Sequence, residues 1–112
     1  SNDRVYAWYL DGTVSSGTSS DLDKYQAPAP YSLPPGKSPA NIVGIGIAGS
    51  NDRVYAWYAD GTVSSGTSRD LDAATPPQPV SMPTERSAGH ILAQGIAGSN
   101  DHVYTWFRRY LR

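Results

Sequence analysis

The side chains best suited to binding a ligand alternate along a short segment that occurs three times. Each copy places Arg or His, then Tyr, then Trp at every second position. Alternate residues of an extended strand point to the same face, so each copy predicts one shared face. A fixed donor beside flat aromatic rings suits a sugar, whose hydroxyls take hydrogen bonds while its C–H face packs on a ring. The predicted ligand-binding residues are Arg4, Tyr6, Trp8, Arg53, Tyr55, Trp57, His102, Tyr104 and Trp106.

The same aromatic faces have a second interpretation as packing between neighbouring sheets. Tyr and Trp would then form an inter-sheet core, with arginine stacked on the rings by cation–π contact. This alternative has more weight for Trp8 and Trp57 than for Arg4 and Arg53, because arginine is rarely buried without a partner. His102 replaces arginine in the third copy, so a site there is expected to bind more weakly.

The chain is built from a tandem repeat with an offset of 49 residues. Residues 1–49 and 50–98 are identical at 31 positions, 21 of them among the first 23, and residues 99–112 begin a third copy. A period near 50 is typical of propeller blades, where each unit buries its faces only by stacking on a neighbour. We therefore expect a single module over residues 1–112.

Within one period the pattern indicates β-structure. Residues 42–48 alternate isoleucine with glycine or alanine, and residues 53–58 read as a second strand. Asp60-Gly61 is a strong hairpin signal that leads into a third strand at 62–65. The Pro-rich stretch 68–88 must hold an outer fourth strand, where proline is tolerated at an unpaired edge. The predicted fold is all-β, with four-stranded antiparallel blades of about 49 residues that belong to a β-propeller.

The chain length bears on how such a propeller closes. The sequence holds two periods of 49 residues and 14 further residues. Propellers need about four to eight blades, and open sheet edges invite aggregation. These features predict a cyclic homo-oligomer, in which three chains would give six blades and two or four chains would give four or eight. A fragment of a longer propeller is the alternative.

Residues 46–65 resemble the blade of fungal and bacterial fucose-binding β-propeller lectins. The resemblance rests on the small-residue strand, the Arg-Val-Tyr motif, the Gly-containing hairpin and the β-branched return strand. It implies a lectin, and in the bacterial type with two blades per chain it implies a six-bladed trimer. The family's sugar-contacting arginine would correspond to Arg4 and Arg53. Its return-strand glutamate would fall near Ser16 and Ser65, so no particular monosaccharide is implied.

Several function classes are disfavoured by composition. A net charge of −1 lacks the field on which nucleic-acid binding depends, and no apolar run approaches the roughly 18 residues of a membrane span. The absence of cysteine excludes disulfides and thiolate chemistry. The compartment stays open, although glycan binding would suit a secreted or cell-surface protein.

The motifs do not favour a catalytic site, a metal site or a cofactor site. Asp21-Leu-Asp23 and Asp70-Leu-Asp72 lack the further oxygen ligands of a calcium loop, and His90 and His102 have no zinc-site spacing. Near-identical repeats favour multivalent binding over an asymmetric catalytic constellation. We therefore expect a non-enzymatic carbohydrate-binding lectin without cofactors. The alternative is a structural or protein-interaction propeller, natural or designed, that assembles without a sugar.

Overall fold

The computed structural model describes residues 4–96 and 100–108, which form nine β-strands, two 3-10 turns and no α-helix. The strands are β1 (Val5–Trp8), β2 (Thr13–Thr18), β3 (Asp21–Pro30), β4 (Ile42–Ile47), β5 (Val54–Tyr58), β6 (Thr62–Gly66), β7 (Thr75–Pro79), β8 (Ile91–Ile96) and β9 (Val103–Phe107). Pro39–Asn41 and Ala88–His90 are the 3-10 turns, one before β4 and one before β8. Residues 1–3, 97–99 and 109–112, which include predicted repeat boundaries, lie outside the described residues.

The strands form three antiparallel sheets in chain order. The first sheet is β1-β2-β3, the second is β4-β5-β6-β7 and the third is the hairpin β8-β9. The predictions of an all-β fold and antiparallel pairing are confirmed, and the second sheet has the expected four strands. The described part of the chain shows the three sheets side by side and no closed ring.

The hairpin turns follow from the Asp-Gly pairs. Gly61 has a φ of 86°, which a side chain would disfavour, and Gly12 has the same value in the first repeat. The Asp60 carboxylate accepts hydrogen bonds from the backbone N–H and the hydroxyl of Thr62, at 3.1 and 2.6 Å. These local contacts set the register of the β5-β6 hairpin, so the turn prediction at Asp60-Gly61 is confirmed.

The first two sheets share a hydrophobic core. Val54, Ala56, Tyr58 and Leu71 are buried on one face of the second sheet, and Trp8 of the first sheet packs against them. Two backbone hydrogen bonds tie the loop after β3 of the first sheet to the loop between β6 and β7 of the second sheet, from Ser32 N to Arg69 O at 2.7 Å and from Leu71 N to Ser32 O at 3.0 Å. Face-to-face burial and cross-repeat hydrogen bonding together hold the two sheets in one orientation.

The second and third sheets approach each other through β4 and β8, the first strand of each sheet. Gly44 and Gly46 of β4 face Gln94 and Ile96 of β8. A Cβ atom at Gly46 would lie 3.2 Å from the Ile96 side chain, and one at Gly44 would overlap the Gln94 amide. The small-residue face of β4 is therefore crowded by the equivalent strand of the next repeat.

Over the same described residues, no helix has the length and apolar character needed to cross a membrane.

Candidate functional site

Each Arg/Tyr/Trp face is positioned by a β-hairpin. In the first sheet Tyr6 is paired with Ser16 and Trp8 with Val14, and the second sheet repeats both pairs at the 49-residue offset. Paired residues share a face, so a serine hydroxyl joins the predicted tyrosine in each of the first two copies. The ring centroids of Tyr6 and Trp8 are 5.9 Å apart in a stacked arrangement, and the other two copies stack at 6.1 and 6.2 Å.

A first cavity lies between the first and second sheets. Its volume is about 270 Å³, and its walls include Arg4, Tyr6, Ser16 and Gln26 from the first repeat with Ser68 and Arg69 from the second. Donors and acceptors therefore converge from two repeats beside one phenol ring. Two of the nine predicted ligand-binding residues, Arg4 and Tyr6, line this cavity.

Ser16 gives the first cavity an unusual polar feature. Its side chain is only 2% exposed, yet its hydroxyl has no hydrogen-bond partner in the structure. Among the described residues one other buried polar side-chain atom, Gln94 Oε1, shares this condition. A buried unpaired hydroxyl costs about 1–3 kcal/mol, so the Ser16 hydroxyl is a destabilising feature of the cavity wall.

The Arg4 guanidinium lies over an aromatic plane. Its Cζ atom is 4.8 Å from the centroid of the Tyr25 ring, within cation–π distance. Ala74 takes the place of Tyr25 in the second repeat, so no ring occupies that position beside Arg53. Arg4 and Arg53 are both exposed.

A second, smaller cavity repeats the first at the 49-residue offset. It has a volume of about 190 Å³ and is lined by Arg53, Tyr55, Ser65, Thr75 and Gln78, among others. All the lining residues belong to the second repeat. In the described chain, the third sheet is a hairpin without an outer-strand loop like the one that brings Ser68 and Arg69 to the first cavity.

The predicted tryptophans lie outside both arginine cavities. Trp8 donates its indole N–H to the backbone carbonyl of Ser68 at 3.0 Å and packs on the core. Trp57 is 7% exposed and lines a third cavity of about 440 Å³ between the second and third sheets, with Gln94 and Phe107 on the other side. For these two residues the structure shows the inter-sheet packing that the sequence left as an alternative.

The third copy of the face is open. His102, Tyr104 and Trp106 are exposed on β9 and the residue before it. The Tyr104 ring stacks on Trp106 and lies 6.4 Å from the His102 ring in a tilted arrangement. None of the three lines a described arginine cavity. The structure thus divides the nine predicted residues into two cavity-lining pairs, two packed tryptophans and one exposed face.

Sequence reasoning missed the polar residues that complete the cavities. Ser16 could have been found by counting outward in both directions from the Asp11-Gly12 turn, which pairs it with Tyr6. Ser68 and Arg69 carry no local signal, because they reach the first cavity only through the packing of the next repeat.

Carboxylates in the second repeat have shifted pKa values. Burial, with a hydrogen bond to the neighbouring Asp70, raises the pKa of Asp72. The hydrogen bond from Lys37, 2.7 Å from the carboxylate, lowers the pKa of Asp60. No group of three His, Cys, Asp or Glu side chains suited to a metal ion occurs within residues 4–96 and 100–108.

The fold and its cavities define an all-β protein of stacked antiparallel sheets with clefts repeated every 49 residues. Comparison of the chain with protein-family models, curated proteins and solved structures finds no match.

Proposed function

We propose that the chain is a carbohydrate-binding, lectin-like β-propeller module, whose sheets are blades and whose repeated weak sites act multivalently. The observation that carries the proposal is the first cavity, where the exposed Arg4 guanidinium and the buried, unpaired Ser16 hydroxyl line one space. A polyhydroxylated ligand matches such a site because serine, glutamine and arginine side chains line it with hydrogen-bonding groups.

The chemistry of a sugar ring suits the lining of this cavity. The Arg4 N–H groups would donate to ring hydroxyls, Ser16 could donate or accept, and Tyr6 would offer its ring to a C–H face. The volume of about 270 Å³ lies just below the roughly 300 Å³ at which pockets for drug-sized ligands begin. A single monosaccharide unit is therefore the ligand size that we propose.

The second cavity supports multivalent use. It presents Arg53, Tyr55 and Ser65 in the positions of Arg4, Tyr6 and Ser16. Shallow sites of weak affinity gain about 10²–10⁴ in avidity when several engage one surface. A densely glycosylated surface is thus a better target than a free monosaccharide in solution.

A second candidate function is a propeller that serves structure or protein interaction without a sugar ligand. The hydrogen bond from Trp8 to Ser68 favours it, because that tryptophan has a complete packing role. Under this alternative the arginines would be solvated surface groups, and their removal would change no ligand affinity.

Glycan-array screening of the chain, followed by calorimetric titration of the strongest glycan, tests the proposal. Arg4→Ala and Arg53→Ala should each abolish binding at their own sites and roughly halve the stoichiometry. Their melting temperatures should stay close to that of the parent, because both side chains are exposed and substitutions at exposed positions usually change stability by about 0.5 kcal/mol or less. Lys24→Ala, which removes an exposed positive charge outside both cavities, is the matched control.

The outcomes separate the two candidates. Loss of stoichiometry in the arginine variants, with Lys24→Ala unchanged, supports the lectin. An array without any bound glycan, or affinity unchanged in both arginine variants, leaves the structural propeller as the better interpretation.

A further inference from the structure

One face of the first sheet and one face of the last sheet are uncovered. By repeat equivalence, these two faces match two faces that contact each other inside the molecule. We define the first-sheet outer face as Val5, Ala7, Tyr9 and Leu22, which is the repeat equivalent of Val54, Ala56, Tyr58 and Leu71. We define the last-hairpin outer face as Gly95, Tyr104 and Trp106, where Trp106 is the repeat equivalent of Trp8.

The internal contact shows what these faces do when they meet. Trp8 packs on the cluster formed by Val54, Ala56, Tyr58 and Leu71, and its indole N–H reaches the Ser68 carbonyl at 3.0 Å. Leu71 is fully buried in this contact, at 0% exposure, whereas its equivalent Leu22 is 42% exposed. Trp57, covered by the third sheet, is 7% exposed, whereas its equivalent Trp106 is 55% exposed.

The uncovered first-sheet face has the same internal construction as its buried counterpart. Tyr58 and Ser64 are hydrogen bonded at 2.8 Å, and Ser64 donates to the Leu71 carbonyl at 2.7 Å. Tyr9, Ser15 and Leu22 form the same relay with the same two distances. The first-sheet outer face is therefore already shaped as the acceptor of a tryptophan face.

We propose that a second copy of this chain docks its first-sheet outer face on the last-hairpin outer face, as the second sheet docks on the first. Trp106 of one copy would pack on Val5, Ala7 and Leu22 of the other, and its indole N–H would donate to the other copy's Ser19 carbonyl, the equivalent of Ser68. The partner is another copy because the complementary face is present in this chain at the required offset.

The contact joins two different surfaces, so it is heterologous and can propagate or close into a ring. The inference is independent of the proposed glycan site, since neither Arg4 nor Arg53 belongs to either of the two outer faces. Failure of self-association would leave the glycan titrations interpretable, and failure of glycan binding would leave the association intact.

Two substitutions each remove one half of the interface. Trp106→Glu destroys the last-hairpin face and keeps the first-sheet face, and Leu22→Glu does the reverse. Both side chains are exposed in the single chain, so neither change puts a charge in its core. Leu10→Glu, at a residue that is 80% exposed in a hairpin turn, is the matched control.

Light scattering across a concentration series, coupled to size-exclusion chromatography, measures the outcome. The parent and Leu10→Glu should associate, while each interface variant alone should associate about thirtyfold more weakly or worse, as expected for a buried hot-spot tryptophan and its pocket. An equimolar mixture of Trp106→Glu and Leu22→Glu should form a 1:1 heterodimer that grows no further, because one intact pair of faces remains.

A parent chain that stays monomeric over the series would overturn the proposal. So would single variants that associate like the parent, or a mixture that fails to pair although both variants are folded by circular dichroism. If either glutamate variant loses its strand signal, Trp106→Ser or Leu22→Ser replaces it in the same mixing experiment, with the same expected heterodimer.

Discussion

The indole N–H of Trp8 lies 3.0 Å from the backbone carbonyl oxygen of Ser68, although 60 positions separate the two residues in the chain. The bond joins β1 of the first sheet to the loop after β6 of the second sheet. It brings Ser68 and Arg69 to the edge of the cavity that Arg4 lines. Trp8, which the sequence predicts as a ligand-binding residue, therefore holds the two walls of that cavity together in the structure.

Replacement of Trp8 with Phe should remove this bond while keeping an aromatic ring on the core. We expect a loss of about 1 kcal/mol in the free energy of unfolding, the usual net value of one hydrogen bond, with some loss of buried area. Urea denaturation measures it. Trp106→Phe, at an exposed tryptophan and studied under dilute conditions, should change the unfolding midpoint far less. Equal effects of the two substitutions would show that the bond to Ser68 contributes nothing.

The tyrosine relays of the two repeats offer an internally matched pair. Ser64 donates its only hydroxyl proton to the Leu71 carbonyl, so the buried Tyr58 hydroxyl must donate to Ser64. Tyr58→Phe should cost about 1 kcal/mol in unfolding free energy, because a buried acceptor loses its donor. Tyr9→Phe, in the half-buried equivalent, should cost less because water can replace the donor. Thermal melts compare them, and a larger loss for Tyr9→Phe would contradict the burial argument.

Gly66 lies where the backbone of residues 70–73 approaches too closely for a side chain. A Cβ atom there would overlap the carbonyl oxygen of Asp70 and crowd the backbone N–H of Ala73, neither of which can rotate away. Gly66→Ala should therefore lower the unfolding free energy by about 1–3 kcal/mol, as overpacked sites do. At Gly95 the nearest neighbour of an added Cβ is a Trp106 ring atom at 3.9 Å, so Gly95→Ala is the tolerated control. Chemical denaturation that ranks the two in the opposite order would refute the close approach.

The raised pKa of Asp72 predicts a pH-dependent contribution to stability. Burial and the hydrogen bond to Asp70 make the folded state bind this proton more tightly than the unfolded state does. The stabilisation is therefore complete below the ordinary carboxyl pKa and is lost as the pH rises through the raised value. Asp72→Asn should melt higher than the parent at pH 7 and like the parent near pH 3. A difference in melting temperature between Asp72→Asn and the parent that stays the same from pH 3 to pH 7 would contradict the assignment.

The strands and hairpins could be predicted because their signals are local. The alternation in residues 42–48 and the Asp60-Gly61 turn act through neighbouring residues, and the structure places β4 and the β5-β6 hairpin there. The outer strand at Thr75–Pro79 followed from the rule that proline tolerates a sheet edge. The sequence could also place Arg4 and Tyr6 on one face, since the two-residue period of a strand needs no tertiary information.

The amino-acid sequence by itself determined the all-β class, the 49-residue unit and the alternating Arg/Tyr/Trp faces, because hydrophobic period and turn chemistry are short-range. Tertiary structure alone decided which aromatic rings pack and which stay open. Identical segments meet different neighbours, so Trp57 is covered by a following sheet while Trp106 is not. The tertiary structure also places Ser68 and Arg69 at the cavity beside Arg4. Contacts between two sheets depend on how the sheets stack, and no residue pattern within either sheet encodes them.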